Sequence, residues 1–452
     1  MYQSRNFYKL DSGIQNKSIK ISIIGQGYVG LPLAIAFSRH YSVVGFDLNQ
    51  KIILGLKNGQ SHVQDISNNE IAIAIRNEYH PTDSLDDLID TDIFIICVPT
   101  PLSPDKQPDL SYIKSACATI GQVLKKGNFV ILESTTYPGT TENIVISILE
   151  KTGLKAGEDF GVAYSPERID PGNKLFPLEK VPKVVGGINP LCTQIGCALY
   201  QTIIDSVIPV SNPKTAEAAK MVENIFRNVN IALVNELALI FEKMDIDIWE
   251  VINAAASKPY GFMPFYPGPG VGGHCIPLDP HYLSYSAKRY GFIPRFIQTA
   301  GEINDFMRVH MVNLTEQALG KNGKKMNGSS VLLLGLAYKK NISDYRESPS
   351  ISIIQELTNR GALVEVYDPF IVSIEIEGEV YNSVTSLKDA INATDCILLI
   401  VDHDIILEKI SEILKKSSKK HLIVSAKNLD SKIFNDHNCI TLGKSNMAFS
   451  DR

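Results

Sequence analysis

IKISIIGQGYVGLPLAIAFSRHYSVVGFDLN, from Ile19 to Asn49, is the stretch that decides the fold. A short apolar run, Ile19–Ile24, meets a glycine-rich turn. A helix-length apolar stretch follows, then Ser42–Phe46 (SVVGF), and the segment closes on Asp47. Strand, turn, helix, strand is the grammar of a parallel sheet with helices on both faces. The turn reads Gly25-Gln26-Gly27-Tyr28-Val29-Gly30. In that spacing Gly25 permits a tight turn, Gly27 lets a pyrophosphate approach the backbone, and Gly30 allows close helix packing. The helix N-terminus then faces the phosphates. Asp47 is placed to bind ribose hydroxyls, which favours NAD over NADP. The opposing reading is a turn with no ligand and Asp47 as a strand cap; strand, helix and acid standing together favour the cofactor.

The pattern continues outward from this unit. DIFIICVPT (Asp92–Thr100), FVILEST (Phe129–Thr135), FGVAYSPER (Phe160–Arg168) and KVVGG (Lys183–Gly187) read as further strands, and the first domain is expected to end near residue 205. Beyond it, Val222, Phe226, Val229, Leu233, Leu237 and Ile240 recur at spacings of three and four, one face of a long helix whose first turn suits Pro213. Ile225, Ile231, Val234 and Leu239 surround that stripe, so burial on more than one side is expected, either as a helix joining two domains and a second subunit or as one packed within a single domain. Lys258–Pro280 is dense in Gly and Pro and reads as a loop. A helical passage then runs to about Gly320, and KNGKKMNGSS is a polar linker.

The C-terminal part begins the grammar again. SSVLLLGLAYKK (Ser329–Lys340), GALVEVYDPF (Gly361–Phe370) and TDCILLIVDH (Thr394–His403) parallel the first unit, with Asp368 where Asp47 stood, but only Gly335 is left of the three glycines. The expected organisation is α/β: two Rossmann-like doubly wound parallel-sheet domains joined by a long central helix. Its parts are a loose N-terminal tail (1–18), an NAD-binding domain (19–205), a central helical and dimerisation domain with a Gly-rich loop (206–320), and a second Rossmann-like domain (321–452) that binds something other than a dinucleotide.

Composition sets outer bounds. The 452 residues carry 44 Lys and Arg against 49 Asp and Glu, a net charge of −5, with 44% hydrophobic residues. These are globular proportions, enough for about two or three cores. Slight acidity gives no electrostatic case for nucleic acid as a partner. No run reaches the ~18–20 apolar residues of a membrane span, and the first residues lack the apolar core of a secretory signal. The 7 cysteines (Cys97, Cys117, Cys192, Cys197, Cys275, Cys396 and Cys439) are scattered and hold no CxxC pair, so neither a disulfide framework nor a metal site is expected. A reducing cytoplasm fits.

Two further motifs carry chemistry. In Gly272-Gly273-His274-Cys275-Ile276-Pro277-Leu278-Asp279, a thiol sits in a glycine-rich loop ahead of an Asp. A lone Cys is either a small buried hydrophobe or, in such a loop, an exposed nucleophile. In Thr215-Ala216-Glu217-Ala218-Ala219-Lys220-Met221-Val222-Glu223-Asn224, Lys220 and Asn224 share a helix face. A cation and an amide there could hold an oxyanion, or the Lys could be an ordinary solvated charge.

With GxGYVG, the AEAAK helix, the GGxC loop and a second Rossmann-like domain in this order, the chain resembles the UDP-glucose/GDP-mannose dehydrogenase family from about residue 19 to 445. The resemblance implies an NAD-dependent, four-electron oxidation of a sugar C6 alcohol to a carboxylate, with UDP-sugar as partner; the apolar long helix suggests a homodimer or a multiple of it. Cys275 would trap the aldehyde as a thiohemiacetal and then carry the thioester. Lys220 and Asn224 would stabilise the oxyanion, Asp279 would assist proton transfer or place the water, Thr136 would help hold that water, and Glu167 would lie near the reacting centre. Cofactor contacts are expected at Gly25, Gly27, Tyr28, Val29, Gly30, Asp47, Pro99, Thr100, Thr136 and Arg346. Substrate contacts are expected at Glu167, Arg168, Lys220, Asn224, Phe265, Tyr266, Gly272 and Lys339. Glucose enzymes of the family carry Phe-Pro-Lys-Asp after the Cys, where this chain has Ile276-Pro277-Leu278-Asp279, and Glu167 is followed here by Arg168-Ile169-Asp170-Pro171-Gly172. Both features resemble the UDP-N-acetylhexosamine branch, most closely the N-acetylglucosamine 6-dehydrogenases of bacterial polysaccharide synthesis. The mannosamine and galactosamine epimers, UDP-glucose, and a non-catalytic NAD or nucleotide-sugar sensor stay as alternatives; the intact Cys275, Lys220, Asn224 and Asp279 argue against the sensor.

Overall fold

The computed structural model describes residues 5–103, 105–168, 175–273, 276–429, 434 and 436–444. Cys275 and His274 lie outside the described residues, as do residues 169–174 beyond Arg168. The chain divides into two compact units, Met1–Glu223 with His281–Phe292, and Asn224–Pro280 with Ile293–Arg452. The division falls inside the long helix, so residues 206–320 are shared between them.

The first unit is built on eight strands: β1 (Lys20–Ile24), β2 (Ser42–Phe46), β3 (Tyr79–Thr82), β4 (Ile93–Ile96), β5 (Phe129–Leu132), β6 (Gly161–Tyr164), β7 (Lys183–Gly187) and β8 (Val207–Val210), in the order β3-β2-β1-β4-β5-β6-β7-β8. Ile21 pairs with Val43 on one side and Ile93 on the other. β4, β5 and β6 read as unbroken apolar runs because helices cover both faces, and residues such as Ile21, Phe94, Ile131 and Val162 are fully buried. One pairing departs from the all-parallel expectation: β7 runs antiparallel to β6. β3 (Tyr-His-Pro-Thr) is too short and polar to read in advance, and β8 carries the sheet past residue 205. The order reverses between β1 and β4, so the loops after these strands part and leave a crevice at the strands' C-terminal ends.

One expectation is corrected. The stretch read as a loose tail contains a helix, Arg5–Gln15, whose Leu10 and Ile14 are buried in the first core and whose Ile14 carbonyl accepts from Tyr41 Oη at 3.1 Å. A polar average hid these two anchors at i and i+4. The long helix, Pro213–Lys243, turns its apolar stripe outward: Val222, Phe226, Leu233 and Ile240 are 62%, 47%, 50% and 43% exposed in the single chain. Its buried side carries Met221, Asn224, Asn228, Ala232, Asn235 and Ala238. Periodicity groups residues on a face without saying what that face meets.

The second unit holds a five-stranded parallel sheet. Its strands are β9 (Ser330–Leu334), β10 (Leu363–Tyr367), β13 (Cys396–Leu399), β14 (Leu422–Ser425) and β15 (Asn438–Thr441), in the order β10-β9-β13-β14-β15. A hairpin of β11 (Ser373–Ile376) and β12 (Glu379–Asn382) stands beside it. Leu333, Leu398 and Val424 pack on one face, and Leu332, Leu334, Ile397 and Ile423 on the other. Each such side chain contributes about 1.5–3 kcal/mol on burial. The helix Pro349–Asn359 starts on Ser348, whose hydroxyl accepts from Ser350 N at 3.2 Å, with Pro349 in the first turn.

Candidate active site

The crevice of the first unit has the expected glycine geometry. Gly25 sits at φ +97°, where a Cβ would lie 2.6 Å from Cys97 O, and a Cβ on Gly30 would lie 1.9 Å from Gly25 O. A Cβ on Gly27 would meet nothing within 4 Å, so this backbone faces open space, as a pyrophosphate requires. Tyr28 is exposed and Val29 half-buried on the rim. Asp47 Oδ2 accepts from Gln26 N and Oδ1 from Asn49 N, both at 2.8 Å, and the carboxylate is half-exposed with lone pairs left for diol hydroxyls. Across the crevice Pro99 is exposed, and Thr100 O accepts from Tyr282 Oη at 2.6 Å. These residues fit NAD.

Beside the crevice, Thr136 is fully buried; its hydroxyl donates to Thr140 Oγ1 at 2.6 Å, and Thr140 donates to Tyr137 O at 2.8 Å. Glu167 is buried near a network that the sequence did not announce. Lys183, at the start of β7, lies 2.9 Å from Glu133 and 3.8 Å from Glu167, and Tyr200 Oη donates to Glu133. Burial opposes the charge on Lys183, but Glu133 and Glu167 outweigh it and hold the ammonium's pKa above its ordinary value. Arg168 is engaged within the chain: its guanidinium meets Glu223 at 2.7 Å and donates to Pro182 O at 2.5 Å. Lys220, buried on the long helix, completes the candidates of this unit.

In the second unit, Asn224 Nδ2 donates to Asp279 Oδ2 at 2.5 Å, and both side chains are buried. The Gly-rich loop is pinned from both ends by asparagines. Asn235 Oδ1 accepts from Gly268 N at 2.9 Å and Asn228 Nδ2 donates to Ile276 O at 3.1 Å, while Asn304 bonds Asn235 and the Asn228 carbonyl. Polar residues on the long helix thus face inward to hold a loop, a use that no hydrophobic pattern reveals. Phe265 packs edge-on to Phe226 and Tyr266 stacks on Trp249 at 5.7 Å. A Cβ on Gly272 would lie 2.9 Å from Glu347 O and Tyr338 Cβ, and one on Gly273 2.9 Å from the Tyr338 ring, so this glycine pair is set by close approach.

The loop after β9 is organised differently from the one after β1. Asp368 accepts from Leu336 N (2.7 Å), Ala337 N (3.1 Å) and His403 Nε2 (3.1 Å), and His403 Nδ1 accepts from Asn341 N at 2.8 Å. Donation at one ring nitrogen and acceptance at the other fixes the neutral tautomer. Lys339 is half-buried on this loop. Arg346 is exposed and forks onto Asp344 at 2.7 and 2.9 Å.

Comparison with known proteins decides the family. Its NAD binding domain matches residues 19–204, its central domain 214–306 and its UDP binding domain 332–431. The chain belongs to the UDP-glucose/GDP-mannose dehydrogenase family. It is 41% identical to a UDP-N-acetyl-D-glucosamine 6-dehydrogenase of Pseudomonas aeruginosa over 91% of this chain and 97% of that protein. It is 35% identical to a UDP-N-acetyl-D-mannosamine dehydrogenase of Pyrococcus horikoshii, over 91% and 96%. A solved UDP-D-ManNAc dehydrogenase structure from Pyrococcus horikoshii superposes with a TM-score of 0.86 at 33% identity, covering 95% of this chain and 100% of that one.

As a member of this dehydrogenase family the chain is an oxidoreductase with NAD as cofactor and a UDP binding domain. The glycine turn and Asp47 sit in the NAD binding domain, and the Asp368–His403 loop in the UDP binding domain. No helix among the described residues is long and apolar enough to cross a membrane. Local motifs announced Gly25–Gly30, Asp47 and Lys220. Lys183 reaches Glu133, Asn228 and Asn235 reach the Gly-rich loop, and His403 reaches Asp368, each pairing made only through tertiary structure.

Proposed function

We propose that this dehydrogenase oxidises the C6 alcohol of a UDP-N-acetylhexosamine, UDP-N-acetylglucosamine first among them, to the uronate, using two NAD and one water. The observation that carries the reading is the 41% identity to a UDP-N-acetyl-D-glucosamine 6-dehydrogenase over 91% of the chain. The Asn224–Asp279 pair supports it, since it sets an amide and a carboxylate at the border of the Cys loop. The mannosamine epimer is the second reading, favoured by the relatives from Pyrococcus horikoshii.

NAD, when bound, supplies the hydride acceptor for each oxidation. The chain's residues do the rest. Asp47 and the Gly25–Gly30 turn hold and orient the cofactor, with Pro99, Thr100 and Arg346 as further contacts. Cys275 adds to the aldehyde, giving a thiohemiacetal whose C–H can be oxidised to a thioester, which water then cleaves. Lys220 and Asn224 hold the oxyanion. Asp279 takes or places the proton, Thr136 and Glu167 position water and sugar, and Arg168, Phe265, Tyr266, Gly272 and Lys339 line the nucleotide sugar. The outward stripe Val222, Phe226, Leu233 and Ile240 suits a homodimer seam, and six thiols unpaired among the described residues suit a reducing cytoplasm.

The test is NADH formation by purified protein with each UDP-sugar. Two NADH per UDP-N-acetylglucosamine are expected; two per mannosamine epimer would shift the assignment, and none with any sugar would favour a sensor. In Cys275→Ser the second oxidation is expected to fail, and unchanged turnover in that variant would remove the covalent route.

A further inference from the structure

Glu217 stands in the AEAAK motif, one turn before Lys220, and the reaction proposed above gives it no part. It is nonetheless fully buried. Its Oε2 accepts from Gly139 N at 2.5 Å, and its Oε1 accepts from Thr141 N at 2.8 Å and Thr141 Oγ1 at 2.7 Å. The backbone it grips is the turn that carries Thr136, which is itself tied to Thr140 and, through it, to Tyr137 O. Gly139 reaches the carboxylate from φ +96°, a conformation that favours glycine. The gripped residues open a π-helical turn, Thr141–Ile146, whose first N–H groups need an acceptor. Lys214 and Glu142 pair at 2.5 Å beside it, so the neighbouring charges are already matched.

We infer that Glu217 is a positioning residue for the oxidation: it locks the Thr136 turn to the helix that bears Lys220 and so fixes the distance between these two groups. The inference rests on the roles of Lys220 and Thr136 in the proposed reaction. Its physical basis is that three buried hydrogen bonds on one side chain resist sliding, and a displacement of about 1 Å at a reacting centre costs about 100-fold in rate.

The test uses the full chain with NAD and the UDP-N-acetylhexosamine it oxidises. Glu217→Gln turns one acceptor into an NH2 that faces backbone donors; kcat is expected to fall about 30–100-fold with both KM values within about threefold. Thr141→Val removes only the hydroxyl donor and is expected to lower kcat about 3–10-fold without loss of folded protein, so the assignment stays testable if Glu217→Gln misfolds. Added to Thr136→Ala, Glu217→Gln should cost no more than about twofold further, because the two act as one unit. Overturning results are an unchanged kcat in folded Glu217→Gln, an unchanged kcat in Thr141→Val where Glu217→Gln does not fold, or full multiplication of the losses in the double variant. Wild-type protein that reduces no NAD with any UDP-sugar would overturn the reaction and this assignment together; active wild type with equally active Glu217→Gln would overturn the assignment alone.

Discussion

β1 and β9 open their sheets in the same way and are put to opposite uses. Each is followed by a left-handed glycine, Gly25 at φ +97° and Gly335 at φ +92°, and each faces an Asp at the end of its neighbouring strand. After Gly25 the chain enters a helix at Gly30, so the N–H groups of a helix first turn lie beside the glycine loop. After Gly335 it runs to Pro349 before the next helix begins. Asp47 spends its oxygens on two backbone N–H groups and stays half-exposed. Asp368 is buried and takes N–H bonds from Leu336, Ala337, Phe370 and Ile371 as well as His403. An acid at this topological position serves a ligand only while its lone pairs are unspent. In the UDP binding domain the same residue has become the keystone of a loop.

The largest expected effect comes from closing the first turn. Gly30→Val places carbon against Gly25 O, and NAD affinity measured by titration calorimetry should fall by more than about 100-fold. Next comes exchange of roles between the two acids. Asp47→Ala should weaken NAD binding by about 10–100-fold, the worth of charge-assisted bonds of about 1.5–3 kcal/mol, with a smaller loss of stability than at Asp368 because its two N–H partners lie nearer to solvent. Asp368→Asn should leave NAD binding unchanged and cost about 2–4 kcal/mol of stability by denaturant titration, because an amide then faces backbone donors. A loss of NAD affinity in the second variant would break the comparison.

Acid sharpens it further. Burial alone would raise the carboxyl pKa of Asp368, but His403 and the N–H groups of Phe370 and Leu336 outweigh it and hold the value below the ordinary 3.8. The unfolded chain therefore takes the proton first as pH falls. This carboxylate's stabilisation is full above about pH 4 and is lost as pH drops through the lowered folded value. Asp368→Asn should flatten that part of the acid-unfolding curve. The smallest effect is expected from Ala337→Gly, which restores a glycine yet leaves Lys340 at the third position. It should cost about 1 kcal/mol and create no NAD site; binding of NAD at a second site would show that glycine content, not the spent acid, separates the two loops.

What the sequence disclosed follows the range of the interactions. Ile19–Asn49 was legible because its strand, turn, helix and acid are neighbours in the chain. The long helix was legible as a helix and illegible in orientation: Val222, Phe226, Leu233 and Ile240 gave the period while Asn224, Asn228 and Asn235 took the interior. Lys183 looked like a polar strand start, since Glu133 and Glu167 reach it only across the sheet. Asp368 looked like a second Asp47, because His403, the partner that consumes it, enters from beyond β13. Leu10 and Ile14 were diluted by polar neighbours.

The glycine pair at 272–273 has a consequence for engineering. Its lack of side chains is demanded by Tyr338 and by the Glu347 carbonyl, which belong to the nucleotide-binding half and not to the segment itself. Transplanting this short peptide into another scaffold would carry the thiol but leave behind the aromatic wall and the asparagine tethers that give the peptide its shape. The shape of this glycine pair is a property of a fitted joint, and a graft that keeps it must move both surfaces of the joint at once.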